Sequence, residues 1–191
     1  MRPIPAGLLR RILAFGIDYV AISTYLLAVT GIGVVMNYAT PQLVEAVFGQ
    51  RVLAQVIGFS LVTLPVSLYF VLQESSQWQA TWGKRKTSLK VVTASSGLSI
   101  TLRRAAVRTL VKFIPWELAH TFVWQTYFSP DGPPGLAMAG FMAVWVLVGG
   151  NVASIVAARD RRAIYDRLAG TQVIDMRGVE KSGAVARTLA A

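Results

Sequence analysis

Long apolar runs restrict this chain more than any other feature. Residues 12–36 carry a single charge, Asp18, and residues 52–72 and 135–158 carry none. At about 1.5 Å per residue in a helix, each run can cross the roughly 30 Å hydrocarbon core of a bilayer. A soluble domain of 191 residues needs more polar surface than 15% charged and 54% hydrophobic residues provide. Disorder, collagen and coiled coil are excluded on the same grounds. Residues 12–36 follow Arg10 and Arg11 as a signal segment would, but the run is too long and holds an aspartate, so it reads as an uncleaved membrane helix.

A fourth span is expected over residues 113–128, which is shorter and contains Pro115, Glu117 and His120. Charge placement supports it. Of nineteen basic residues, three precede the first span, eight lie in residues 73–112 and seven follow residue 158. The positive-inside bias puts all three groups in the cytoplasm, which demands an even number of crossings after the central connection. The expected fold class is therefore an all-α integral membrane protein with four transmembrane helices, both termini cytoplasmic. It forms one domain over residues 6–175, and a disordered cytoplasmic tail follows over residues 176–191.

The net charge of +10 would suggest nucleic acid in a soluble protein. Beside membrane spans it indicates contact with anionic lipid instead, at about 1 kcal/mol per surface cation. The basic central connection opens with extended structure. Leu89 and Val91, with Ile100 beyond a turn at residues 94–97, predict a short hairpin. Over residues 99–112 the period becomes helical: Ile100, Val107 and Val111 share one stripe, and Arg104, Arg108 and Lys112 another. This predicts an amphipathic helix lying at the membrane interface.

Three segments carry a family resemblance. Arg11-Ile12-Leu13-Ala14-Phe15-Gly16-Ile17-Asp18 resembles the Arg-x-x-Ala-x-x-Ile-Asp opening of the RDD family of bacterial membrane proteins. Ala80-Thr81-Trp82-Gly83-Lys84-Arg85, followed by Leu89-Lys90-Val91-Val92, is similar to its Ala-Thr-x-Gly-Lys segment and strand. Asp166 to Thr171 resembles its terminal Asp-x-x-x-Gly-Thr. Trp82 stands where the family usually has proline, and Ser88 where a glycine commonly precedes the leucine. The resemblance implies a transmembrane bundle in the bacterial plasma membrane. It makes Arg11, Asp18 and Asp166 the named arginine and aspartates, and leans toward transport of unidentified ligands.

Elementary chemistry narrows what these residues can do. No cysteine is present and there is one histidine, His120, so thiolate chemistry, disulfides and conventional zinc sites are excluded, and no cofactor is expected. Gly83-Lys84 is not a phosphate loop, because Trp78 and Arg85 occupy positions that need glycine and Ser or Thr. No nucleophile elbow is present, and no enzymatic activity is expected.

Five residues are candidates for binding: Arg11, Asp18, Glu117, His120 and Asp166. A carboxylate deep in a bilayer costs about 2.5–3.5 kcal/mol, so Asp18 must face protein or water. It lies two helical turns, about 10 Å, from Arg11, too far for a direct pair. Its expected partner is a proton, a cation or an arginine from elsewhere, and it serves either as an ion or proton site or as an inter-helix hydrogen bond. Arg11 is expected to snorkel to the interface as an anchor. Glu117 and His120, three apart, share a helical face and can share a proton, or else lie shallow beside Trp116 and Trp124. One such pair is too few for a two-metal carboxylate site. Asp166 is expected to pair with Arg162 one turn earlier or to latch a turn before Gly170.

Gly149, Ala153 and Ala157 form a small-residue stripe that permits close helix packing. Four helices enclose little room, which favours a homo-oligomer if a solute passes. Two functions fit: a small transporter exchanging cations or protons through intramembrane carboxylates, or a non-transporting adaptor that binds anionic lipid or a protein partner through its basic surface.

Overall fold

The computed structural model describes residues 4–129, 131–132 and 135–177. Helices dominate: α1 (Leu8–Ala39), α2 (Pro41–Phe48), α3 (Arg51–Gly58), a π-helical turn (Phe59–Thr63), α4 (Leu64–Ser75), α5 (Trp82–Lys86), α6 (Leu102–Tyr127), α7 (Gly135–Ala157) and α8 (Ile164–Leu168). Two strands, β1 (Leu89–Thr93) and β2 (Thr171–Asp175), form the sheet. Among the described residues, three helical segments are long and apolar enough to cross a membrane: Leu8–Ala39, Arg51–Ser75 and Gly135–Ala157.

The chain divides into two units. Unit 1 gathers residues up to Tyr19, Tyr69–Val111 and the chain from Gly150 onward; unit 2 comprises Val20–Leu68 and Lys112–Gly149. Unit 1 has the packed core. Ala6, Ala14, Leu89, Val91, Ile100, Ala105 and Val173 form it, with Val71 against them. The β-branched run in β1 pairs antiparallel with β2, Val91 opposite Val173, as such side chains fit a pleated surface. Pro5 bridges to Ile174 on the other edge of β2, and the Ala6 amide donates to the Val173 carbonyl at 2.9 Å.

Two departures from the family pattern find a local reason. Ser88 has φ 54°, the left-handed region that glycine occupies without strain. Trp82 is the first residue of α5 after its N-cap Thr81, a position where proline is favoured because its missing N–H has no helical partner. Here the Trp82 amide donates to Tyr69 Oη at 3.2 Å.

Several expectations need correction. The fold is not all-α, because β1 has a true strand partner in β2. The hairpin is reduced to one bridge, Val92 to Ser99; the opposite edge of β1 is taken by β2, which supplies a full five-residue register. The interfacial helix and the third span are one continuous 26-residue helix, α6, with Pro115 inside it. Its first half does not lie free at an interface, since Ala105, Arg108 and Thr109 are buried in protein. The expected tail lies, from residue 178 on, outside the described residues.

In unit 2 the second apolar run is interrupted at Phe59–Thr63 by the π turn. Such turns insert a residue into the helical ladder and are frequent at functional sites. Tyr25 Oη donates to the Leu61 carbonyl of that turn at 2.6 Å.

Candidate functional site

Unit 1 brings three distant segments onto one buried cluster. Asp18, on α1, is 1% exposed. Its carboxylate accepts from Tyr69 Oη at 2.8 Å, Thr81 Oγ1 at 2.5 Å and the Gly83 amide at 2.7 Å. The close approach needs glycine: a Cβ on Gly83 would run into the Ala14 carbonyl oxygen and stand 2.9 Å from Asp18 Cγ. Asp18 therefore has three neutral donors, and no arginine or lysine bonds it among the described residues.

Thr81 and Lys84 link Asp18 to a chain of ion pairs. Lys84 Nζ lies 3.5 Å from Thr81 Oγ1 and donates to Glu74 Oε1 at 2.8 Å. Arg108 Nε donates to Glu74 Oε2 at 2.7 Å, and Arg108 Nη1 bonds Asp166 Oδ1. Arg11 Nη1 donates to Asp166 Oδ2 at 2.8 Å, while its Nη2 donates to the Arg161 carbonyl at 2.6 Å. Thr171 Oγ1 and the Ala163 amide also donate to Asp166, at 3.1 and 3.2 Å.

This group holds three acids, Asp18, Glu74 and Asp166, and three bases, Arg11, Lys84 and Arg108, so its charges balance. Balance is what burial requires, because removing a lone charge from water costs several kcal/mol. Burial alone would lower the Arg108 pKa, but the Asp166 and Glu74 carboxylates outweigh it and raise the value. Its guanidinium also lies 4.9 Å from the Tyr165 ring centroid, a cation–π distance. Tyr165 is pushed up in pKa by burial first and by the Asp166 carboxylate next.

Arg11 is thus an ion-pair member and not a snorkelling anchor. Asp166 pairs with Arg11 and Arg108, not with the side chain of Arg162, which instead donates to the Asp166 and Thr171 carbonyls at 3.0 and 2.9 Å. A 155-residue separation wins over the local pair because the buried pair is shielded from water. Gly170, with φ 65°, ends α8 as expected. Glu74, Lys84, Arg108, Tyr69 and Thr81 were not evident as site residues. One signal for Glu74 was present, a lone acid at the end of an apolar run.

Glu117 and His120 lie in unit 2, on α6. Thr63, in the π turn, donates from Oγ1 to Glu117 Oε2 at 2.7 Å and receives Trp116 Nε1 at 3.2 Å. His120 Nδ1 faces Glu117 Oε1 at 3.9 Å, and Trp124 Nε1 donates to His120 Nε2 at 3.1 Å. One turn along, Gln55 Nε2 donates to Thr121 Oγ1 at 2.7 Å. Gly58 gives the imidazole room, since a Cβ there would stand 2.7 Å from His120 Cε1. The two side chains are partly open, Glu117 at 29% and His120 at 19% exposure. One carboxylate and one imidazole form a pair able to hold a proton. No cluster of three or more His, Cys, Asp or Glu suited to a metal occurs among the described residues.

A helical protein with three bilayer-length apolar segments and a buried, charge-balanced cluster is an integral membrane protein by construction. Residues 5–170 match the RDD family, and the chain belongs to that family. No curated protein and no solved structure matches it.

Proposed function

We propose that this chain is a small, non-enzymatic membrane transporter that moves protons or cations through unit 2, with Glu117 and His120 as the group that takes up and releases the transported charge. One observation carries the reading. Glu117 and His120 face each other at 3.9 Å on a helix that also carries Pro115, opposite a π turn that supplies Thr63. Interrupted helices with polar groups at mid-span are a feature of transporter binding sites. The ion pairs of unit 1 have a different part: Asp18, Arg11 and Asp166 are saturated by their own partners, so they hold structure and are not free to exchange ions.

In this reading residues 113–127 of α6 form the fourth crossing. Both termini and the connection between the second and third crossings lie in the cytoplasm, where exposed Arg85, Arg103 and Lys86 meet anionic lipid of the bacterial plasma membrane. Gly149 has open space beyond its Cα, which suits a second copy and a homo-oligomer. The adaptor alternative rests on those exposed cations alone.

The test is flux. Purified protein in liposomes, driven by a potassium diffusion potential, should collapse or build a pH gradient faster than empty liposomes. Equal rates with and without protein, for protons and for sodium and potassium, would leave the adaptor reading.

A further inference from the structure

The hydrogen bond between Trp124 and His120 has a chemical consequence for the proton site. An indole N–H is a donor only, so His120 Nε2, which receives it at 3.1 Å, must be the bare acceptor nitrogen. The opposite ring orientation would set a C–H against the indole N–H and leave that donor unsatisfied. A neutral imidazole carries one hydrogen, which must then sit on Nδ1. That atom is buried, has no hydrogen-bond partner among the described residues, and faces Glu117 Oε1 at 3.9 Å.

The far side of the carboxylate is ordered as well. Trp116 Nε1 occupies a lone pair of Thr63 Oγ1 at 3.2 Å, which directs the threonine hydrogen to Glu117 Oε2 at 2.7 Å. Oε1 is left to the imidazole.

We propose that Trp124 is a positioning residue that fixes His120 as the Nδ1–H tautomer, aimed at Glu117, and that a second proton enters the imidazole only at Nε2, by breaking the Trp124 bond. The inference rests on the reading of Glu117 and His120 as the proton site. The step balances: hydronium gives one proton to Nε2 and leaves as water, the imidazole gains one positive charge, and the N–H···N hydrogen bond is lost because both nitrogens then carry hydrogen. The indole, which stacks on Phe48 with ring centroids 6.4 Å apart and planes at 24°, is released from His120. Its position therefore reports and gates the charge on the ring.

The groups around the imidazole leave this control with Trp124. Glu117 faces it from its own helix, and Gly58 is its contact on α3. The charged residues of α2 and α3 are Glu45 and Arg51, and neither forms an ion pair with it. The unit 2 portions of α1 and α7 carry no charged residue.

Because His120 is the only histidine, 15N-histidine labelling of the full chain in lipid bilayers gives one imidazole to observe. In its neutral form the expected spectrum has a protonated Nδ1 and a bare Nε2, the reverse of the tautomer that dominates for a histidine side chain in water. A protonated Nε2 in the neutral ring would overturn the proposal. Trp124→Phe, which keeps the ring and removes the N–H, should shift the population toward Nε2–H; an unchanged tautomer would show that Trp124 does not set it. Acidification should change the fluorescence that Trp124→Phe removes, with the midpoint of imidazole charging, and no change across that titration would defeat the gate. If the phenylalanine variant fails to fold, the wild-type spectrum still decides. Flux is measured in the same liposomes: the expected tautomer without flux rejects the transport reading alone, and flux with the opposite tautomer rejects this inference alone.

Discussion

Arg11 and Asp166 are 155 positions apart in the chain and 2.8 Å apart in the fold. The arginine leaves the first turn of α1 and the aspartate sits in α8, so their bond joins the start of the described chain to its last helix. Arg108 bonds the other oxygen of the same carboxylate, and through Glu74 and Lys84 the line of ion pairs reaches Thr81 and Asp18. The three family segments converge on one body of polar contacts.

Loss of a shared cation should be more damaging than loss of a single acceptor. Arg108→Met takes one cation from both Asp166 and Glu74, which are fully buried and keep Arg11 and Lys84 respectively, and removing one partner of a buried pair costs about 3–5 kcal/mol. Adding Glu74→Gln to that variant should recover part of the loss, because the acids and cations of the cluster are then equal in number again. Asp18→Asn keeps the shape but turns its NH2 either toward Thr81 or toward Tyr69 and the Gly83 amide, all of them donors to the carboxylate, and the loss of charge-assisted bonds should cost about 2 kcal/mol or more. Thermal unfolding and size-exclusion profiles in detergent rank the three; a wild-type profile for Asp18→Asn would return Asp18 to the list of proton sites.

Alkaline pH should weaken the fold through Tyr165. Its folded-state pKa is raised above the ordinary value near 10. A raised pKa means the folded state retains the proton longer, so this contribution to stability is complete below about pH 10 and is lost as pH rises above it. Tyr165→Phe keeps a ring for Arg108 and removes the titration. Stability against pH between about 9 and 12 should fall less steeply in the variant than in wild type, and equal slopes would show that Tyr165 carries none of the alkaline loss.

Orientation can be read by labelling, because the chain has no cysteine. Single cysteines at Ser95, Ser129 and Ser182 should react with an impermeant reagent from outside only at position 129. External reaction at 182 but not at 129 would mean three crossings and would take residues 113–127 of α6 out of a full span.

Much of the fold could be read from the residues because it depends on one-dimensional quantities. The apolar runs give α1, the α3 to α4 segment and α7 within a few residues of their ends. Spacing correctly kept Arg11 from Asp18, since rise per residue is fixed inside one helix. What spacing cannot reach is pairing across the chain. β1 was matched to the nearest candidate strand, yet its partner β2 comes nearly eighty residues later. Arg108 looked like a lipid-facing cation because Arg104, Arg108 and Lys112 recur every fourth residue, but two distant acids bury it. Pro115 suggested a boundary where α6 runs on. The π turn and the Thr63 contact to Glu117 left no trace in periodicity, while the Glu117 and His120 pair was visible as a one-turn repeat.

The central claim is that unit 2 carries the transported charge while the buried ion pairs of unit 1 hold structure. Its most direct test is the initial rate of proton flux in liposomes for wild type and Glu117→Gln at equal incorporated protein. The account predicts that Glu117→Gln inserts and elutes like wild type but falls at least tenfold in rate, to near the empty-liposome background. Wild-type flux through Glu117→Gln, from protein that is equally well folded, would contradict it and remove Glu117 from the path.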